Sequence, residues 1–202
     1  GALLGDRIRM MDLSTDSGVF IRSMGTRGMM GGLTSSLYDV VEILDAAGMN
    51  VILIETVGVG QDEVDIVKIA DTTLVVLIPG LGDSVQTIKA GLMEIADIFV
   101  VNKADKPGVE QTVAELESML DLVGHTEYRT PIVVTSVKQK KGIQLLTSKI
   151  AEHQEYLKKS KTFDTRRRQR YEAELIEIIR KRLMSFIFDE KKLKRTVDCC
   201  ID

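Results

Sequence analysis

Hydrophobic positions along the chain fall into two alternating kinds of run. Short, β-branched, apolar stretches at Val19–Ile21, Val51–Ile54, Thr73–Ile78, Ile98–Val101 and Ile132–Thr135 read as strands. Their near-continuous apolarity is what a parallel sheet covered on both faces requires. Between them, apolar residues recur at helical spacing. Leu33–Ala47 carries Leu37, Val40, Val41 and Leu44 on one face, and Val85–Ala96 carries Ile88, Leu92 and Ile95. Val109–Leu122 carries Val113, Leu116, Met119 and Leu120, and Ile143–Leu157 carries Leu146, Ile150 and Leu157. Strands alternating with helices predict an α/β fold with a mostly parallel, doubly wound sheet over residues 1–157.

From Lys158 the pattern changes. Arg166, Arg167, Arg168 and Arg170 cluster, and then Leu175, Ile176, Ile179, Leu183, Phe186 and Ile187 recur at helical spacing. Residues 158–202 therefore read as a C-terminal helical arm. The arginines form either a solvated face or a surface that packs on a partner. The apolar stripe must be buried, in cis or in trans.

Composition narrows the function classes. A chain of 202 residues suits one domain, or one domain plus an appendage. A net charge of -3 argues against a general nucleic-acid binder, whose footprint is basic. No apolar run approaches the roughly 18 residues of a membrane span. Cys199 and Cys200 are adjacent, so they offer neither a disulfide framework nor metal-ligand spacing, and they read as free thiols. A cytoplasmic or organelle-matrix setting is expected. His125 and His153 stand far apart and read as structural or solvated rather than as ligands.

Three motifs carry chemistry, each at the C-terminal end of an expected strand, where open α/β sheets bind ligands. The first is Asn102-Lys103-Ala104-Asp105, after Ile98–Val101. A carboxylate at Asp105 can accept hydrogen bonds from guanine N1–H and its exocyclic amine, a donor pair that adenine lacks. Asn102 would tie neighbouring loops together and the Lys103 stem would cover the base. The bland alternative is a solvated turn. The second motif is Glu55-Thr56-Val57-Gly58. A carboxylate there can hold Mg²⁺, and the glycine can offer its N–H to a γ-phosphate and pivot when that phosphate leaves. The third, Thr135-Ser136-Val137, can present backbone N–H groups to the guanine O6, and gains weight only from its order in the chain.

These motifs lie within longer stretches, GALLGDRIRM, VFIRSMGTRG, ILIETVGVGQDEVDI and IADIFVVNKAD, which resemble the MeaB/ArgK family of P-loop GTPases of the SIMIBI class. The resemblance runs from Gly1 to about Leu146, with the arm only loosely similar to the family's dimerisation region. It implies that Asp6 and Glu55 help hold Mg²⁺, that Gly58 is the switch II glycine, and that Asp105 reads the base beside Asn102 and Lys103. It implies that Ser136, Val137 and Lys138 form the last base-contacting loop. Asp83, Gln86 and Lys89 would form a switch coupling nucleotide state to a partner; without the resemblance, the same segment reads as a helix N-terminus. The implied function is GTP-dependent chaperoning of cobalamin-dependent methylmalonyl-CoA mutase, gating adenosylcobalamin delivery, with a homodimer expected and neither nucleic acid nor membrane as partner. The alternatives are an ATPase or kinase associated with amino-acid (LAO/AO) transport, and a non-catalytic nucleotide-binding module.

One departure is large. No GxxxxGK[ST] phosphate loop occurs, and the glycine-rich Gly25–Gly32 lacks its Gly-Lys-Ser/Thr end. The chain is expected to be either a fragment beginning downstream of the P-loop or a protein that has lost it; the intact switch and base motifs favour the fragment. Without that loop the chain is expected to bind triphosphate weakly.

A second departure concerns turnover. Val59 follows the switch glycine where Ras-like enzymes carry a water-positioning glutamine, and the nearest glutamine is Gln61. Valine cannot orient water. The full-length protein alone is therefore expected to hydrolyse GTP slowly and to accelerate when a partner repositions a group. Phosphate release by the protein alone at the partner-bound rate would refute this.

Overall fold

The computed structural model describes residues 10–13, 15–24, 36–56, 66–80, 92–123 and 128–187. In chain order these form α1 (Ser36–Ala46), β1 (Leu74–Leu77), α2 (Leu92–Ile95), β2 (Ile98–Val101), α3 (Val109–Val123), β3 (Ile132–Val134), α4 (Ile143–Lys159) and α5 (Thr162–Ile187), with single 3₁₀ turns at Met11–Leu13 and Ile66–Lys68.

The three strands make one parallel sheet in the order β1-β2-β3. Leu74 lies opposite Ile98 and Leu77 opposite Val101, while Phe99 lies opposite Ile132 and Val101 opposite Val134. Successive strand residues point to opposite faces, so a strand buried on both sides must be apolar throughout. β2 meets that condition: Ile98, Phe99 and Val101 are 0% exposed and Val100 is 3%. Phe99 and Val101 join Val75, Leu77, Ala96 and Leu116 in one core, against which Val113, Met119 and Leu120 of α3 pack. Ile98 and Val100 join Val133 in a second core, covered by Leu146 and Ile150 of α4. Helices thus flank both faces, as the doubly wound pattern predicts. Each fully buried large side chain contributes on the order of 1.5–3 kcal/mol through removal of apolar surface from water.

Two expected strands are corrected. Val19–Ile21 and Val51–Ile54 run without ladder pairing among the described residues. Val19 is 38%, Phe20 58%, Val51 74% and Leu53 85% exposed. β-branched composition favours extended backbone, but a strand also needs a neighbour to accept its hydrogen bonds. In 51–56 exposure alternates, so one side of the segment is half-buried and the other faces solvent. Val76 of β1, 56% exposed, marks the part of the α4 side of the sheet that the described helices leave open.

α5 packs back on the domain, and the arginine cluster divides by helical phase. Arg167 and Arg168 face outward, the first donating to the Tyr171 hydroxyl and the second to Glu172. Arg166 turns inward and grips Asp97 with both terminal nitrogens, Nη1 to Oδ2 at 3.0 Å and Nη2 to Oδ1 at 2.8 Å. One turn later Arg170 donates to the Ile69 carbonyl at 3.3 Å. Neither of the two readings of the cluster fits these inward arginines, whose partners lie in the same chain. Among the described residues nothing covers the apolar stripe, and Leu175, Ile176, Ile179 and Leu183 are 49–65% exposed. Among the described residues no helix is long and apolar enough to cross a membrane.

Asp97 sits just before β2 and is almost wholly buried. Its Oδ2 also accepts the Thr73 N–H at 2.8 Å, and His153 Nε2 lies 3.3 Å from Oδ1. His153 is 1% exposed; its Nδ1 meets the Thr72 hydroxyl at 3.0 Å and its ring packs against Tyr128, so the structural reading of this histidine holds. Burial pushes the Asp97 carboxyl up, but the bonds from His153, Arg166 and the Thr73 N–H outweigh it and bring it down to about 2. A carboxyl lowered on folding stabilises the fold above its unfolded value, and that stability is lost as pH falls through the folded value. The displacement corresponds to about 2 kcal/mol. Denaturant midpoints are expected to be flat with respect to this group above pH 5 and to fall between pH 4 and 2. In Asp97→Asn that acid-side decline is expected to shrink.

Candidate functional site

The base motif lies where β2 and β3 leave the sheet. The ladder runs one residue past β2, with the Asn102 N–H donating to the Leu77 carbonyl at 2.8 Å. Lys103 then takes a left-handed conformation (φ 59), and the Lys106 N–H closes the turn on the Lys103 carbonyl at 2.9 Å. That turn brings the Ala104 N–H to the Thr135 carbonyl at 3.0 Å. The loop after β3 answers: the Thr135 N–H donates to the Val101 carbonyl at 2.9 Å and its hydroxyl to Asn102 Oδ1 at 3.2 Å. Asn102 therefore ties the two loops together. Ser136 and Lys141 exchange both backbone hydrogen bonds at 3.0 Å and close the second loop into a tight hairpin.

At the meeting point stands Asp105. The Ser136 hydroxyl, on a residue only 1% exposed, donates to Asp105 Oδ1 at 3.0 Å. Lys138 Nζ lies 3.8 Å from Oδ2. The Ser136 hydroxyl, chiefly, holds the Asp105 carboxyl below the usual carboxylate range, against a smaller opposing effect of burial and with help from a backbone N–H, Lys138 and Lys106. Asp105 is thus a fixed, ionised acceptor at neutral pH. A paired-donor edge is the ligand that such a group selects, because charge-assisted bonds are strong and directional.

Gly142 closes this assembly. It has φ 79, and a Cβ there would run into the Val134 carbonyl oxygen. Absence of a side chain lets the start of α4 press directly on the end of β3. This contact lies outside the three sequence motifs, although a glycine standing between a tight loop and a helix carries a signal for it.

Of the other expected site residues, Val137 and Lys138 lie exposed in the second loop, and Lys103 is exposed in the first. Glu55, next to last in the extended 51–56 segment, is exposed. A hard carboxylate oxygen of this kind suits Mg²⁺, and among the described residues no group of three or more acidic, His or Cys side chains forms a metal cage. Asp6, Gly58, Gln61, Asp83, Gln86 and Lys89, with Gly25–Gly32, His125, Cys199 and Cys200, lie outside the described residues.

Comparison with known proteins settles the lineage. The family model of the methylmalonyl-CoA mutase-associated GTPase MeaB matches residues 1–192. The chain belongs to the MeaB family of GTPases. A relative in Pyrococcus abyssi, carried under a provisional GTPase name, is 57% identical over 183 residues, covering 89% of this chain and 56% of its own length. The mitochondrial methylmalonic aciduria type A homolog of Caenorhabditis elegans is 30% identical, over 96% of this chain and 50% of its own length. The GTPase ArgK of Escherichia coli is 36% identical over 71% of this chain and 45% of its own. A crystal structure described as an LAO/AO transport system kinase superposes with a TM-score of 0.66 at 27% identity, covering 80% of this chain and 53% of that one. This MeaB-family chain thus spans roughly half the length of those relatives.

The geometry of Gly142 gives a direct check on the site. In Gly142→Ala the left-handed backbone alone costs about 1–2 kcal/mol, and the clash with Val134 adds to it. Melting is expected to fall by several degrees. In amide exchange the loss of protection should centre on residues 135–142. A thermal melt matching the parent would contradict the close approach.

Proposed function

We propose that the intact protein binds guanine nucleotide with Mg²⁺, hydrolyses GTP to GDP and phosphate, and serves as a GTP-dependent chaperone of a cobalamin-dependent methylmalonyl-CoA mutase. The observation that carries the nucleotide half of this reading is the ionised Asp105 carboxylate, held by Ser136 where two parallel strands end. Guanine N1–H and its exocyclic amine would donate to it. Adenine would turn the bare N1 lone pair toward a negative charge. Glu55, with Asp6, is the proposed Mg²⁺ pair; the metal would neutralise phosphate charge. Gly58 and Gln61 are the proposed switch residues beside the γ-phosphate, and Asp83, Gln86 and Lys89 the partner-coupling switch.

The mutase half rests on the description of the matching family and on the methylmalonic aciduria type A name of the nematode relative. A homodimer is proposed on the uncovered stripe of α5, since Ile176 at 65% and Leu183 at 53% exposure need cover to be stable in water. A transport-associated kinase or ATPase is the second reading, favoured by the description of the superposed structure. Competition between GTP and ATP separates the two.

The decisive variant is Asp105→Asn. An amide keeps one acceptor and gains a donor, which mismatches the guanine amine and matches the C2 carbonyl of xanthine. Losing two charge-assisted bonds is expected to weaken GDP binding by about 10²-fold or more. Xanthosine diphosphate binding should rise. Unchanged GDP affinity in a fluorescent-nucleotide titration would remove Asp105 from the site and with it the guanine reading. For the partner half, co-elution of the protein with methylmalonyl-CoA mutase in the presence of a GTP analogue is expected, and its absence at micromolar concentrations would count against the chaperone role.

A further inference from the structure

Asp97 and Asn102 flank the same buried strand. At one end of β2 the Asp97 carboxylate receives the Arg166 fork of α5, the Thr73 N–H and His153. At the other end Asn102 begins the base-reading loop. Between them lie only Ile98–Val101, hydrogen-bonded on both sides and closed to solvent on both faces. Such a strand has no soft position; it moves as a unit or its ladders break.

A second element runs the same course. α4 starts just after Gly142, which is pressed against the end of β3, and in its second half carries His153 to Asp97. Tyr156, one turn on, stacks against Tyr128 with 4.8 Å between ring centroids, and Tyr128 packs in turn against the His153 ring. The Thr73 backbone adds a third link, since β1 leads from Thr73 to Leu77, whose carbonyl holds Asn102.

We propose that the Arg166–Asp97–His153 joint makes the C-terminal arm and the base-reading loops one mechanical body, so that docking of α5 and order in residues 102–105 and 135–141 are thermodynamically linked. Arg166 and Asp97 act as positioning residues at the opposite end of β2 from Asp105. Two consequences follow from linkage. Loosening the joint loosens the loops, and a ligand that tightens the loops tightens the arm by the same factor. The second consequence rests on the guanine reading of Asp105; the first does not.

The test uses the full chain without nucleotide, read by amide exchange. Arg166→Ala is compared with Arg168→Ala, which removes an outward arginine two positions away that, among the described residues, pairs with Glu172 across the helix surface. In Arg166→Ala, exchange is expected to rise several-fold in the first half of α5 and also in 102–105 and 135–141, while the middle of α3 around Leu116 keeps its protection. Arg168→Ala is expected to match the parent. Arg166→Lys keeps the charge but loses the fork, and is expected to fall between them. If α5 loosens while both loops exchange as in the parent, the linkage is wrong. If Arg166→Ala unfolds the domain, shown by loss of protection in β2, the same comparison is read in Arg166→Lys, with the same two outcomes. Adding GDP then tests the reciprocal effect. Protection of both loops without added protection of α5 also overturns the linkage. Failure of GDP to protect the loops at all counts against the guanine reading alone, with the nucleotide-free comparison already deciding the joint.

Discussion

A strand with no exposed side organises this molecule. Because both faces of β2 are closed, by α3 on one side and α4 on the other, polar function is excluded from its length and confined to its ends. Each end then carries a carboxylate, and the two are treated in opposite ways. Asp97 is saturated: both oxygens are engaged by groups from the start of β1, α4 and α5. Without the Arg166 fork this buried charge would be less fully paired, so docking of the arm stabilises this end of the sheet. Asp105 is held by fewer partners among the described residues, Ser136 at hydrogen-bond distance and Lys138 farther off.

Legibility in the sequence followed the range of the interactions. β2, β3, α3 and α4 are marked by their own residues, since a run such as Ile98–Val101 or the spacing of Val113, Leu116 and Leu120 reflects burial directly. The Asn102–Asp105 segment stands out in sequence as a short motif at a strand end, where geometry restricts what it can do. Val51–Ile54 misled because local composition reports a preference for extended backbone, whereas a strand is defined by a partner elsewhere in the chain. The arginine cluster misled for a similar reason. Arg166 and Arg168 are alike in sequence, and only the phase of α5 against Asp97 makes one a clamp and the other a solvated charge. Lys103 gives no hint of its left-handed turn, since lysine has no preference for that region; the bond from Ala104 to Thr135 imposes it.

Those loops also show how a carboxylate can be fixed in place and still be available. An ionised carboxylate offers about four lone-pair sites on two oxygens. Ser136 takes one on Oδ1 through a hydroxyl whose own position is set by a nearly buried residue and by the Gln139 N–H. Lys138 approaches Oδ2 at 3.8 Å, beyond hydrogen-bond length, from a side chain that is 83% exposed. An ion pair of that kind is worth little in water, so a ligand donor can replace it at small cost. The serine bond is the opposite case, since breaking it would strand a buried hydroxyl. The carboxylate is therefore oriented by the partner it keeps and screened by the partner it can release. That leaves acceptor capacity on both oxygens, and on the proposed guanine reading the specificity would rest on that residual capacity for a two-donor edge rather than on charge alone.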